Sequence, residues 1–258
     1  MSTEIQGIDI SHHQGQVDHE LVATSGGMSF CICKATEGRD HEDSMFEENI
    51  AEIRGVSERF QEGITYYPGA YHFARPDTDG GSAEDGRAEA EWFCDVVEQA
   101  CGSIENNFMP PVLDFEKYSE SDFNENIPWI QAWLDTVQAR LKRQPMIYTG
   151  KNVWKYEVGN TDLFVAWPLW LVYYTAGSDE VPMESLPWNE WALWQYSGGG
   201  SHQHAPPVPG AGIVDVNRFS GSLEDLAVFA KAHAAPPPLQ PVWPPPPDIV
   251  NLYNLRGA

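Results

Sequence analysis

The sequence predicts an α/β fold, an irregular β/α barrel with fewer helices than strands, followed by a Pro-rich C-terminal tail. Three observations carry this expectation. Through most of the chain, apolar runs of strand length alternate with stretches of helical periodicity, which implies a parallel sheet. Late in the chain, strand-like runs succeed one another across loops or short turns alone, so strands outnumber helices. Acidic and aromatic residues recur at or near strand ends, and barrels of this kind gather reactive groups at the C-terminal ends of their strands. A chain of 258 residues, 42% of them hydrophobic, can bury the core that such a barrel needs.

The first strand is read at 5–11, with Ile8 and Ile10 on one face and Gly7, Asp9 and Ser11 on the other. It runs into the polar loop His12-His13-Gln14-Gly15. A second strand at 29–35 leads to Thr36-Glu37-Gly38, and a helical pattern follows over about 42–60. The third strand, 70–74, carries Tyr71 and His72. Ala88, Trp92, Phe93, Val96 and Val97 then keep helical spacing from Ser82 to a stop near Gly102. The fourth strand, 110–116, ends in Asp114 and Glu116. A helix at about 126–142 buries Trp129, Ile130, Trp133, Leu134, Val137 and Leu141, and leads through Pro145 to a strand at 146–150. Strands at 169–174, 191–197 and 212–217 and a closing helix at 223–232 complete the pattern. We read 1–233 as the catalytic-sized barrel and 234–258 as the tail. The proline runs of the tail favour extended polyproline geometry, as a linker or as a strap along the barrel.

The formal net charge of -23 excludes a phosphate-backbone partner, because nucleic-acid affinity draws on clustered Lys and Arg. The first seven residues have neither the basic segment nor the apolar core of a secretory signal. The longest apolar run, 164–174, is about half a membrane span and contains Pro168, so no membrane insertion is expected. Cys31 and Cys33 share a strand face, and Cys94 and Cys101 lie two helical turns apart, so buried reduced thiols are expected. His12-His13 and His202-x-His204 have no acid or cysteine at zinc spacing beside them, so neither metal nor cofactor is expected.

The chemistry centres on Pro110-Pro111-Val112-Leu113-Asp114-Phe115-Glu116. Residues two apart on a strand face the same way, so two carboxyls share one small region. Close like charges cannot both ionise freely, and the one in the drier setting keeps its proton toward neutral pH, as a general acid requires. The competing reading is a strand that ends in two solvated acids. The two positions are about 6.6 Å apart in rise, and side-chain freedom blurs this, so spacing alone does not fix the separation of the two carboxyls. Tyr71, Tyr148, Trp170, Tyr174 and Trp194 are candidates to offer a ligand flat apolar faces, although large aromatics on strands, Trp194 above all, also serve as core. Lys34 and Glu37 read as a structural pair or a substrate contact, and His72 as a core histidine or a contact.

Taken together, these pieces resemble the glycoside hydrolase family 25 lysozymes, the N-acetylmuramidases of bacteria, fungi and phages. The resemblance spans about 7–229. It rests on Gly7-Ile-Asp-Ile-Ser-His-His-Gln-Gly15, Lys34-Ala-Thr-Glu-Gly38, Gly69-Ala-Tyr-His-Phe73, Leu113-Asp-Phe-Glu116, Tyr148-Thr149, Trp170-Leu-Val-Tyr-Tyr174, Trp194-Gln-Tyr-Ser197 and Val214-Asp-Val-Asn217. It implies an irregular β/α barrel that cleaves the β-1,4 bond between N-acetylmuramic acid and N-acetylglucosamine in bacterial cell-wall peptidoglycan. By matched position it makes Glu116 the general acid, Asp114 its partner acting on the substrate's 2-acetamido group, and Asp9 and Asp215 further acidic lining. Tyr71, Tyr148, Trp170, Tyr174, Gln195, Lys34 and Glu37 are then the candidate substrate-binding residues. The stretch 197–210, rich in Gly, His and Pro, departs from the family pattern and reshapes one groove wall.

Lack of an export signal with a cell-wall substrate points to a phage lysin, released through a pore or carried on a virion, with a cell-wall-binding module or another virion component as a further partner. Two rivals stand beside this reading. One is a non-catalytic peptidoglycan-binding or virion structural protein on the same barrel, which would have no need of four acids at one end. The other is a chitinase-like hydrolase, whose acids spread further along the strand than Val112 allows here.

Overall fold

The computed structural model of the chain describes residues 4–60, 63–76, 82–116, 123–174, 181 and 183–231. The Pro-rich stretch from 234 onward, with Trp243, lies outside the described residues. The strands are β1 (Ile5–Ile10), β2 (Phe30–Glu37), β3 (His41–Glu42), β4 (Tyr67–Phe73), β5 (Val112–Asp114), β6 (Met146–Gly150), β7 (Leu169–Val172), β8 (Leu193–Ser197) and β9 (Asp215–Phe219). The helices are α1 (His19–Thr24), α2 (Phe46–Arg59), α3 (Ala83–Cys101), α4 (Phe123–Leu141), α5 (Lys151–Glu157) and α6 (Leu223–Phe229). Strand order is β1-β9-β8-β7-β6-β5-β4-β2, and β1 pairs again with β2, which closes an eight-stranded barrel with β3 appended to β2. Six α-helices against nine strands, among the described residues, match the irregular barrel read from the sequence.

Strand alternation sorts the core into two parts. Ile5, Phe30, Ile32, Met109, Val112, Met146, Leu193 and Phe219 fill the barrel, while Ile8, Ile10, Cys31, Cys33, Leu113 and Ile147 face outward beneath the helices. Gly7 points inward, where an added Cβ would meet the Phe30 ring at 2.3 Å, so its missing side chain is the space that ring occupies. On the outside α3 begins at Ser82, whose side chain accepts from Asp85 N, and packs on α4 so closely that a Cβ at Gly86 would lie 2.3 Å from Trp129 O. The four cysteines are free and buried, with the Cys31 and Cys33 sulfurs 3.8 Å apart.

The structure corrects the sequence reading in four places. First, β9 is antiparallel to both neighbours, because the 198–214 connection holds only a 3-10 turn, Gly200–His202, and returns the chain at the barrel mouth with no crossover α-helix to carry it to the other end. Asp215 therefore lies at the N-terminal end of its strand, not near a C-terminal end, and still reaches the mouth. Second, β5 stops at Asp114, so Glu116 lies beyond the strand. The extended course persists for one more step because Phe115 N donates to Tyr148 O at 2.9 Å. Third, α4 starts at Phe123, which puts Pro128 inside the helix instead of in its first turn. Fourth, α1 and α5, of six and seven residues, are helices that the sequence reading does not predict.

Candidate active site

One end of the barrel opens into a cavity of about 200 Å³. Its walls come from almost every strand. Asp9 stands near the end of β1, Lys34 on β2, Tyr71 and Phe73 on β4, Asp114 on β5 with Glu116 just after it, Tyr148 on β6, Trp170 on β7, Gln195 on β8 and Asp215 on β9. Each side chain points inward for the reason that its neighbours in sequence point outward, namely the two-residue alternation of the strand. Of the eleven residues that the resemblance marks as catalytic, acidic lining or substrate-binding, nine line this cavity. Tyr174 and Glu37 stand next to it. Ser11, His13 and Phe73 also line it and were not singled out. A larger depression of about 520 Å³ between α1 and α2 is lined by Asp18, Glu20, Glu52 and Arg59, and holds no comparable set of converging catalytic groups.

Gln195 ties the site together. Its Oε1 accepts from the Tyr148 hydroxyl at 2.9 Å and the Tyr174 hydroxyl at 2.7 Å, which leaves Nε2 to donate to Asp9 Oδ2 at 2.9 Å and toward Asp215 Oδ2 at 3.5 Å. Asp9 Oδ2 takes a second amide donor, Asn217 Nδ2, at 2.7 Å, and Trp170 Nε1 donates to Asn217 Oδ1 at 2.8 Å. Asp9 and Asp215 are cross-strand partners on β1 and β9. Asn217 was quoted in the sequence but given no role. Only the antiparallel register, which sets it opposite Gly7 and two places from Asp215, brings it to Asp9.

Four carboxyls thus crowd one cavity in which, among the described residues, Lys34 is the sole Lys or Arg. Burial, then the charge of Asp215, pushes Asp9 up to about 8, against the hydrogen bonds from Asn217 and Gln195. Burial raises Asp215 to about 6, against a backbone hydrogen bond from Gly199. Asp114 is raised by burial and then by Glu116 and Asp9. Burial and then Asp215 also raise Glu116, while a hydrogen bond from Tyr148 and the charge of Lys34 pull it back. Groups that interact this strongly titrate as a set, so at neutral pH the cavity holds protons that isolated carboxylates would have released. Asp114 Oδ1 is buried and has no hydrogen-bond partner among the described residues.

The remaining candidates have defined surroundings. Burial pushes Glu37 up, but Lys34 and Arg75 outweigh it and hold its carboxyl down at about 2; Lys34 Nζ donates to Glu37 Oε2 at 2.5 Å and Arg75 Nε to Oε1 at 2.6 Å. Glu37 is therefore engaged by two cations beside the cavity. His72 is a core residue, fully buried between Thr36 Oγ1 at 2.8 Å and Glu89 Oε2 at 2.7 Å. Trp194 faces away from the cavity, donates to Tyr173 O at 2.8 Å, and lies beneath the Arg218 guanidinium.

His12 Nδ1 and Asp43 Oδ2 are 2.7 Å apart, and the His13 ring leans on His12 with centroids 4.0 Å apart. The His- and Pro-rich loop is pinned where Ser197 Oγ accepts from the backbone N–H groups of His204 and Ala205. The His202 ring of that loop stacks on Tyr174, 4.7 Å between centroids, which extends one wall of the mouth. Among the described residues no three His, Cys, Asp or Glu form a metal-holding group, and no helix is long and apolar enough to cross a membrane.

The chain is similar in sequence and fold to several known proteins. The family model described as Glycosyl hydrolases family 25 matches residues 8–204. Lysozyme M1 of Streptomyces globisporus is 33% identical over 234 residues, covering 88% of this chain and 71% of that protein. The N,O-diacetylmuramidase of Arthroderma benhamiae is 30% identical over 238 residues, covering 88% and 87%. Among solved structures, a bacterial lysozyme from Streptomyces coelicolor superposes with a TM-score of 0.71 at 31% identity, covering 89% of this chain and 98% of the other. A family GH25 lysozyme from Aspergillus fumigatus gives 0.70 at 27%, covering 89% and 100%.

Proposed function

The chain belongs to glycosyl hydrolases family 25 and is a glycoside hydrolase, and from that premise we propose that it is a lysozyme-type N-acetylmuramidase with Glu116 as general acid and Asp114 as its assistant. The bond it cuts is the β-1,4 linkage between N-acetylmuramic acid and N-acetylglucosamine, and its place of action is the bacterial cell wall. The observation that carries this reading is the convergence of four carboxyls with raised proton affinity in one cavity, two of them open to the cleft and two buried behind.

Cleavage needs a proton on the leaving oxygen and electron density at the oxocarbenium-like carbon. Glu116 is half-buried, reaches the cleft and keeps its proton beyond the usual carboxylate range, so it delivers that proton as the bond between the anomeric carbon and the leaving oxygen breaks. Asp114 Oδ1, which has no partner among the described residues, accepts the N–H of the substrate's 2-acetamido group and turns the acetamido oxygen toward the anomeric carbon, where it forms the new bond. Glu116, now a carboxylate, takes a proton from the water that opens this intermediate. Asp215 has a lower proton affinity than Asp9, is ionised at neutral pH and offsets the developing positive charge. Tyr71, with Lys34, lines the wall against which a sugar ring lies.

Mass spectrometry of the fragments released from purified walls tests the whole proposal. The wild type is expected to release muropeptides that end in reducing N-acetylmuramic acid, and Glu116→Gln to release almost none while retaining the fold by circular dichroism. Full release by Glu116→Gln removes the acid from its role; fragments ending in reducing N-acetylglucosamine refute the bond.

A further inference from the structure

β2 is irregular at one point, and that point lies beside the cavity. Its register against β4 slips between Lys34 and Thr36, so that Lys34 pairs with Tyr71, Thr36 with His72 and Glu37 with Phe73. Residues three apart on an unbroken strand face opposite sides. Here the extra residue cancels the offset, and Lys34 and Glu37 stand together on the side of Tyr71 and Phe73, while Ala35 and Thr36 stay in the layer beneath the helices. Such a bulge is rare between parallel strands, and next to a site it serves to re-aim a side chain. What it delivers is a contact. Lys34 Nζ donates to Glu37 Oε2 at 2.5 Å, and the ammonium lies 4.8 Å from the centre of the Phe73 ring. The other oxygen, Oε1, accepts from Arg75 Nε at 2.6 Å, and the Arg75 guanidinium rests 5.3 Å from the same ring. Arg75 is fixed in turn through its backbone N–H, which donates to the buried Glu89 Oε2 at 3.1 Å. Glu37 thus has one oxygen anchored and the other turned to Lys34.

We propose that Glu37 is a positioning residue, which holds the Lys34 ammonium on its own carboxylate and so keeps it from closing an ion pair with Glu116 or Asp114. The inference rests on the reading of Glu116 as the general acid. Lys34 has other carboxyls within its reach. It is a compact charge on a flexible four-carbon stem, and it shares the cavity with Asp9 of β1, Asp114 of β5, Glu116 beyond β5 and Asp215 of β9. The other titratable groups there, among the described residues, are His13, Tyr71 and Tyr148. From its present place Lys34 already lowers the proton affinity of Asp114 and of Glu116. A contact pair with either would lower it further, by about 1–3 pH units, and an acid that has given up its proton has none to deliver. Held between Lys34 and Arg75 at about 2, Glu37 stays charged wherever Glu116 is protonated, so the restraint persists across the working range.

The test is a double-mutant cycle on the full chain, read as the pH profile of kcat/KM on purified walls from pH 4 to 9, with folding checked by circular dichroism. Glu37→Gln keeps the shape and removes the charge. It is expected to move the alkaline limb down by at least about one pH unit, a loss of about tenfold at any pH on that limb. In the Lys34→Met background the same change should move the limb by less than about a third of a unit, because the cation that Glu37 restrains is gone. An equal shift in both backgrounds would make Glu37 a distant charge, and an unmoved limb with a raised KM would make it a substrate contact; either overturns the proposal. Glu37→Asp, which keeps the charge and draws it back from Lys34, needs no second substitution. It should shift the limb the same way, and a wild-type limb counts equally against the proposal. An unmoved limb in Glu37→Gln beside an inactive Glu116→Gln strikes this inference alone, whereas full muropeptide release by Glu116→Gln removes the reading beneath it as well.

Discussion

Trp170 donates its indole N–H to Asn217 Oδ1 at 2.8 Å, and this bond decides which way the Asn217 amide faces. With Oδ1 taken, Nδ2 is left for Asp9 Oδ2 at 2.7 Å. Trp170 is 2% exposed, so although it lines the cavity its larger service is to hold the partner of an acid. Trp170→Phe separates the two roles, since phenylalanine keeps an aromatic face and loses the N–H. Asn217 can then rotate, and Asp9 loses an oriented donor worth about 1.5–3 kcal/mol, on the order of ten- to a hundredfold in rate. The expected outcome is a fall of that size in kcat on cell walls with KM little changed. Unaltered kcat would show that the ring face is what matters.

Tyr148→Phe should move the alkaline limb of the pH–rate profile upward. The Tyr148 hydroxyl, whose single proton is shared between Gln195 Oε1 and the Glu116 carboxylate, favours the charged form of Glu116. Without it the proton stays on Glu116 to higher pH, so the acid remains competent there, though the Gln195 network loses one of its two tyrosine donors and the maximal rate falls. Initial rates from pH 4 to 9 check the direction.

Stability should respond to Asp215→Asn in a pH-dependent way. Folding raises the Asp215 carboxyl from the ordinary 3.8 to about 6, so the folded chain binds that proton more tightly than the unfolded one. Its contribution is fully favourable below about pH 4 and is lost as pH rises through about 6, after which the ionised group opposes folding. Asparagine cannot ionise. The variant should therefore gain on the order of 1–3 kcal/mol over wild type at pH 8 and little at pH 4, as read by urea denaturation at both pH values.

Gly7→Ala should be destabilising by about 1–3 kcal/mol, because the new methyl group falls on the Phe30 ring inside a filled barrel. Pairing the change with Phe30→Leu should recover part of the loss. Denaturant midpoints of the two single variants and the double variant measure it.

How far the sequence could be read follows from which features are local. Ile8 and Ile10 against Asp9, or Cys31 and Cys33 against Phe30 and Ile32, are sorted by alternation alone, and those faces came out as read. The carboxyl set was legible because its members sit within short motifs of known type. Asn217 and His13 were not, since their positions depend on the direction of β9 and on a turn capped by Ser11 and Gln14, neither of which leaves a period in the chain. Glu116 shares a cavity with Asp114, as the sequence reading expects, but not for the reason that reading gives. The strand that was to aim it ends at Asp114, and a single further backbone bond to Tyr148 O continues its course.

The pairing of the first strand with the last has a consequence for how the molecule comes into being. Asp9 leaves the ribosome early, yet its cross-strand partner Asp215 and its amide donor Asn217 are made more than 200 residues later. Until then the nascent polypeptide has an open sheet edge at β1 and an incomplete acid set, and closure must join segments of very large sequence separation, which is slow. Hydrolytic competence therefore arrives late in translation, so a ribosome stalled before β9 carries a chain that cannot cut a wall.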